Sequence, residues 1–146
     1  MLARRKLSRR RNFISGAAFF VALILGHAAA FAACEKQAAK SAISWATDIE
    51  PLLHNCRSCH EFEPPQGLMI SPGISYNFLV GVPSVESSLM RIEPGDPERS
   101  YIVHKLKGTH LEIGGEGVQM PIGFDLWPAQ EVQLLIDWIK DCSPDN

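Results

Sequence analysis

Two thiols and an imidazole stand within one turn of chain in Asn55-Cys56-Arg57-Ser58-Cys59-His60, and no other feature restricts the fold so tightly. On a helical turn, side chains three residues apart share a face, so Cys56 and Cys59 point the same way with His60 beside them. A C-x-x-C pair can serve as a redox dithiol, as half of a zinc site or, when His follows at once, as the attachment point of a c-type haem. A structural zinc site needs four ligands, and the two other cysteines, Cys34 and Cys142, lie far away in the chain rather than in a second C-x-x-C. A dithiol oxidoreductase places its pair after a strand in a βαβ pattern, and no strand-like alternation precedes Cys56. Haem is therefore favoured, with the dithiol and zinc readings as alternatives. Each thiol would form a thioether to one vinyl group of a single porphyrin, while His60 presents a ring nitrogen to the iron from the same side.

Charge divides the chain into two parts. Residues 1–33 hold six basic residues (Arg4, Arg5, Lys6, Arg9, Arg10 and Arg11) and no acid, whereas residues 34–146 hold eight basic and 16 acidic ones, a net of −8. The basic head, the apolar run from Phe13 to Ala33 and the small residues at its end read as a signal peptide over 1–33, with Ala28-Ala29-Ala30 and Ala30-Phe31-Ala32 as cleavage sequences. An uncleaved anchor is the alternative, because the run is nearly long enough to span a bilayer. Arg10-Arg11-Asn12-Phe13-Ile14 is similar to a twin-arginine signal, but a haem attached after export to an unfolded chain favours general secretion. Either route ends in the periplasm, where disulfides persist. The mature part, 34–146, is 113 residues, one domain with a modest core. Its acidity argues against nucleic acid as a partner, since phosphate contacts need clustered Lys and Arg.

A haem iron held by His60 needs a sixth ligand if it is to carry electrons. The candidates are Met69, Met90, Met120, His54, His104 and His110. Met69 is too near His60 to reach the far side of a ring without a tight loop, and Met90 sits among apolar neighbours where Met usually fills core. Met120 follows Gly114-Gly115-Glu116-Gly117 and precedes Pro121, a segment able to lay its backbone over a ring face and stiffened at its end. Met120 is the expected ligand. His110 flanks the same loop and is second choice, and the downstream histidines read as surface residues. Asp48 is the expected N-cap of a helix leading to Cys56, with Ile49, Leu52 and Leu53 as its apolar stripe. Further helices are expected over 72–80, over 97–106 behind an Asp96 cap with Pro97 at the first position, and from Pro128 to about Asp141, where Val132, Leu135, Ile136 and Ile139 recur at helical spacing. Trp45, Trp138 and Tyr101 read as packing residues, and Trp127 as a residue at a haem edge.

With these elements the chain resembles the small class I-type monohaem cytochromes c, and more closely a bacterial branch of them. The segments carrying the likeness are Asp48-Ile49-Glu50-Pro51-Leu52-Leu53, Gly67-Leu68, Leu79-Val80-Gly81-Val82-Pro83-Ser84, Pro94-Gly95-Asp96-Pro97-Glu98-Arg99-Ser100-Tyr101 and Lys105-Leu106-Lys107-Gly108, between the C-x-x-C-H and the Met-Pro. The resemblance runs from about Trp45 to Asn146. It implies an all-α cytochrome c-like fold, about four helices around one covalently attached haem c, with Cys56, Cys59, His60 and Met120 as its cofactor-binding residues and His60 and Met120 on the iron. It implies an electron carrier rather than an enzyme, passing single electrons between redox partner proteins. The acidic surface suggests a basic docking patch on those partners. A five-coordinate ligand-binding or sensor domain, or an electron-input subunit of a dehydrogenase complex, are the alternatives.

One departure stands out. The family commonly ends its last helix in a Gly-Ala pair, where this chain has Asp141-Cys142. Two cysteines left over in an oxidising compartment favour a Cys34–Cys142 bridge, and the family's packing of its terminal helices agrees. The alternative is a lipid anchor at Cys34, since Phe31-Ala32-Ala33-Cys34 resembles a lipobox, and it would provide the domain's sole link to a membrane.

Overall fold

The computed structural model describes Cys34 and residues 36–146, which belong to one compact unit, Ala32–Asn146. The expected signal peptide over 1–33 lies outside the described residues. Ser44 starts the first helical segment: its backbone is extended (φ −96°, ψ 137°) and its hydroxyl accepts from the Thr47 N–H. The Asp48 carboxylate accepts in return from the Ser44 N–H at 2.8 Å, so two otherwise orphaned donors are satisfied reciprocally. Ser44, not Asp48, is therefore the cap. The expectation failed because Pro51 belongs to a second segment. Wide π-type turns over Trp45–Ile49 tighten into a 3₁₀ stretch, Glu50–Asn55, and Pro51 stands in its first turn, where no N–H is required.

Trp45, Ile49 and Leu53, four residues apart, enter the core, while Leu52 is half-buried. The chain then makes a single α-turn, α1 (Arg57–His60), followed by α2 (Ser75–Leu79), α3 (Tyr101–Lys107) and α4 (Ala129–Lys140). The helix expected over 72–80 is shortened because Gly73 takes a left-handed conformation (φ 76°) ahead of it. That expected over 97–106 breaks in two. Asp96 caps a 3₁₀ turn, Pro97–Arg99, and then Ser100 turns extended (φ −100°, ψ 106°). The buried Ser100 hydroxyl donates to Asp96 O at 2.8 Å and accepts from Glu93 N–H at 2.9 Å, local bonds that compete with the helix. Among the described residues, extended pairing is limited to isolated bridges, Val80 with Ile92, Pro83 with Met90 and Met90 with Ser100, which fasten the 80–92 segment to the start of α3.

The core gathers Trp45, Ile49, Leu53, Leu79, Ile92, Val103 and Leu106 against Leu135, Ile136, Trp138 and Ile139 of α4. Trp45 stacks at 5.2 Å from Trp138 and edge-on at 5.4 Å from Tyr76. Both termini of the described domain meet here. Trp45 N–H donates to Asn146 Oδ1 at 3.0 Å, Ala46 N–H to Asn146 O at 3.1 Å, and Cys34 forms a disulfide with Cys142. The Cys34 sulfur is thus occupied by a bridge, the alternative to acylation.

Candidate functional site

An apolar cavity of about 480 Å³ opens between α1, α3 and the loops before α2 and α4. Its walls include Leu53, Leu68, Ile70, Leu79, Ile102, Leu106 and Trp127, and Cys56, Cys59, His60 and Met120 all line it. Interiors are close-packed, so an apolar cleft of this size among core side chains is suited to a ligand rather than to packing alone. Such a hollow fits a large apolar group.

Cys56 lies at the N-cap of α1 and packs against the core, while Cys59 is exposed, and neither is in a disulfide. Burial, with a smaller contribution from Cys59, pushes the Cys56 thiol up to about 11. That shift makes Cys56 itself a poor thiolate nucleophile. A four-thiolate zinc site is ruled out in its simplest form, since Cys34 and Cys142 are bonded to each other. Among the described residues, no three His, Cys, Asp or Glu side chains are gathered as a metal cluster.

His60 ends α1 half-buried, with Nδ1 3.1 Å from Leu68 O. A carbonyl only accepts, so Nδ1 carries the proton and Nε2 keeps its lone pair. Burial holds the imidazole below its ordinary pKa, outweighing the Leu68 carbonyl, which favours the neutral form that a metal ligand must have. A second tie, Ile70 N–H to His60 O at 2.8 Å, fixes the turn beneath it.

The loop before α4 brings Met120 to the same cavity. Met120 N–H donates to Lys105 O at 3.0 Å and the Gln119 side chain donates to Leu106 O at 3.0 Å, so the segment is laced along α3. Packing explains one of the glycines ahead of it. A Cβ on Gly115 would lie 2.6 Å from the Tyr101 ring, whose hydroxyl donates to Glu116 O at 2.7 Å. The Lys105 ammonium, also at the cavity, is bonded to Glu86 Oε2 at 3.0 Å and to Glu116 O at 3.2 Å.

The competing ligands are elsewhere. Met69, Met90, His54, His104 and His110 do not line the cavity. His104 and His110 are buried rather than on the surface as expected. His104 bonds through both ring nitrogens, to Thr109 Oγ1 at 2.9 Å and Glu98 O at 3.0 Å, and His110 Nε2 bonds to Gly117 O at 3.2 Å. His104 ties α3 to the segments on either side, and His110 closes the loop that follows it. Sequence reading passed over Arg91, which also lines the cavity; its neighbours in Ser88-Leu89-Met90-Arg91-Ile92 gave no sign of the carbonyls it would reach. No protein-family model, curated protein or solved structure matches the chain.

Proposed function

We propose that the chain is an exported monohaem c-type cytochrome that carries single electrons between periplasmic redox partners. Support comes from one juxtaposition: the C-x-x-C-H residues Cys56, Cys59 and His60 line an apolar cavity together with Met120 and with no competing methionine or histidine from the described residues. When bound, a haem supplies a one-electron iron couple. The chain's own residues do the rest. Cys56 and Cys59 would hold the haem covalently, each S–H adding across one vinyl double bond, sulfur to one carbon and hydrogen to the other, with nothing oxidised and nothing leaving. His60 offers Nε2, its ring held by Leu68 O, and Met120 offers a thioether, a pair that favours a high potential. Leu53, Ile70, Leu79 and Leu106 give the cavity an apolar wall.

In holoprotein denatured and extracted with acid acetone, the colour is expected to stay with the polypeptide. A colourless pellet sinks the proposal. His60→Ala should abolish the low-spin spectrum outright, since it removes one of the two iron ligands.

From Gly108 to Ile139, around the Met120 loop, the chain has five acidic residues and no Lys or Arg. Leu111, Ile113 and Leu126, which do not line the cavity, are exposed there together with Glu112, Glu116 and Asp125. An apolar surface carrying that charge suits a partner whose own apolar patch is ringed by basic residues. Oxidation of the ferrous protein by a cationic cobalt or ruthenium complex should accordingly slow as salt is raised; a rate that does not change with salt removes this reading of the partner.

A further inference from the structure

Between His60 and Leu68 the backbone passes through two non-glycine residues in the left-handed region, Glu63 (φ 47°) and Gln66 (φ 59°), and then Gly67 (φ 63°). A left-handed non-glycine residue costs about 1 kcal/mol or more, so such a turn persists where something outside it holds it. Arg91 does this. Its Nη2 donates to Gln66 O at 2.8 Å, and its Nη1 donates to Phe78 O at 2.8 Å and to Gly67 O at 3.3 Å. Its own backbone is fixed on both sides, Arg91 N–H to Val82 O at 2.7 Å and Ile102 N–H to Arg91 O at 3.1 Å. The guanidinium fork suits several acceptors at once, and a charged donor makes each bond stronger than a neutral one. The next carbonyl along the gripped turn is Leu68 O, the acceptor of His60 Nδ1–H.

We propose that Arg91 is a positioning residue for the iron ligand: by gripping the Gln66 and Gly67 carbonyls it holds the left-handed turn, and through that turn the Leu68 carbonyl that orients His60. This rests on the haem reading above. Arg91 acts through the turn, 25 residues back in the chain from itself to Gln66, and contributes no ligand. Lysine keeps the charge but offers a point donor to one carbonyl; methionine offers none.

The test uses the ferrous holoprotein and the solvent exchange of the His60 Nδ1–H proton, followed by proton NMR. Arg91→Met should speed that exchange about tenfold and Arg91→Lys by less, while the backbone amides of Leu135 and Ile139 in α4 stay within about twofold of wild type. The α4 amides separate loss of the local grip from general loosening. Unchanged His60 exchange, or exchange that accelerates only in step with α4, overturns the role of Arg91 while leaving the haem reading intact. Absence of covalent haem in the wild-type chain overturns both, by a different measurement. If Arg91→Met does not accumulate as holoprotein, Arg91→Lys carries the same comparison.

Discussion

Met120→Ala should leave the haem attached through Cys56 and Cys59, abolish the sulfur-to-iron charge-transfer band of the oxidised protein and let carbon monoxide bind the ferrous iron readily. The potential should fall on the order of 0.1 V, a fraction of the roughly 0.8 V that axial ligands span, because a thioether favours the ferrous state. Among the described residues each replacement for the lost sulfur has a cost, and Lys105, at the cavity, would have to lose a proton and its bonds to Glu86 Oε2 and Glu116 O. Met69 and Met90 lie outside the cavity wall. His104 would have to give up bonds at both ring nitrogens, and His110 the bond from Nε2 to Gly117 O. The backbone at residue 120 should stay in place, since its N–H donates to Lys105 O whatever the side chain. Survival of the band in Met120→Ala with its loss in Met69→Ala or Met90→Ala would falsify the ligand assignment. Survival in all three would remove methionine altogether. Carbon monoxide binding to the unmodified protein as readily as to Met120→Ala would favour a five-coordinate, ligand-binding haem.

The parts of this site that sequence makes legible are those whose chemistry is local. Cys56, Cys59 and His60 occupy one turn, and the residue types alone restrict what they can bind. Met120 is legible by elimination and by its glycine-rich approach, although Gly115 owes its place partly to the Tyr101 ring against it, a contact between distant segments. Arg91 was illegible because its meaning lies in carbonyls of residues 66, 67 and 78, and a carbonyl has no signature in sequence. The histidine error has a related cause. α3 is seven residues long and five of them are buried, including His104 and Lys105. A short helix enclosed on most sides shows no clean polar face, so periodicity could not reveal which polar residues were inside. At Ser100 and Ser44, hydroxyl bonds to nearby backbone moved helix boundaries that proline positions alone had suggested.

The departure at Asp141-Cys142 has a physical explanation in how α4 ends, and it leads to the largest expected loss of stability. Cys142 N–H donates to Ile139 O at 2.9 Å and Ser143 N–H to Trp138 O at 3.0 Å, the bonding of a Schellman cap, in which the residue at the Cys142 position is left-handed and usually glycine. Cys142 adopts that conformation (φ 67°) despite its Cβ, at a cost of about 1 kcal/mol. The bridge to Cys34, 5.3 Å away between Cα atoms and 108 residues away in sequence, offsets that cost. A loop of that length is worth about 4 to 5 kcal/mol in the chain-entropy model. Gly95 packs against both sulfurs, with an added Cβ at 3.4 Å and 3.5 Å, and covers one side of the half-buried bridge. Cys34→Ser should therefore lower the stability of the holoprotein by about 4 kcal/mol, a drop in Tm on the order of 15 °C for a domain of this size. Cys142→Gly should be less harmful by about 1 kcal/mol, since it loses the same bridge but relieves the left-handed Cβ. Intact mass before and after reduction gives the prior check, a gain of about 2 Da on reduction for one bridge. A diacylglycerol adduct at Cys34 would mean instead that the sulfur is acylated. Equal losses for Cys142→Gly and Cys34→Ser would show that the left-handed cap carries no strain and that the bridge alone sets the stability.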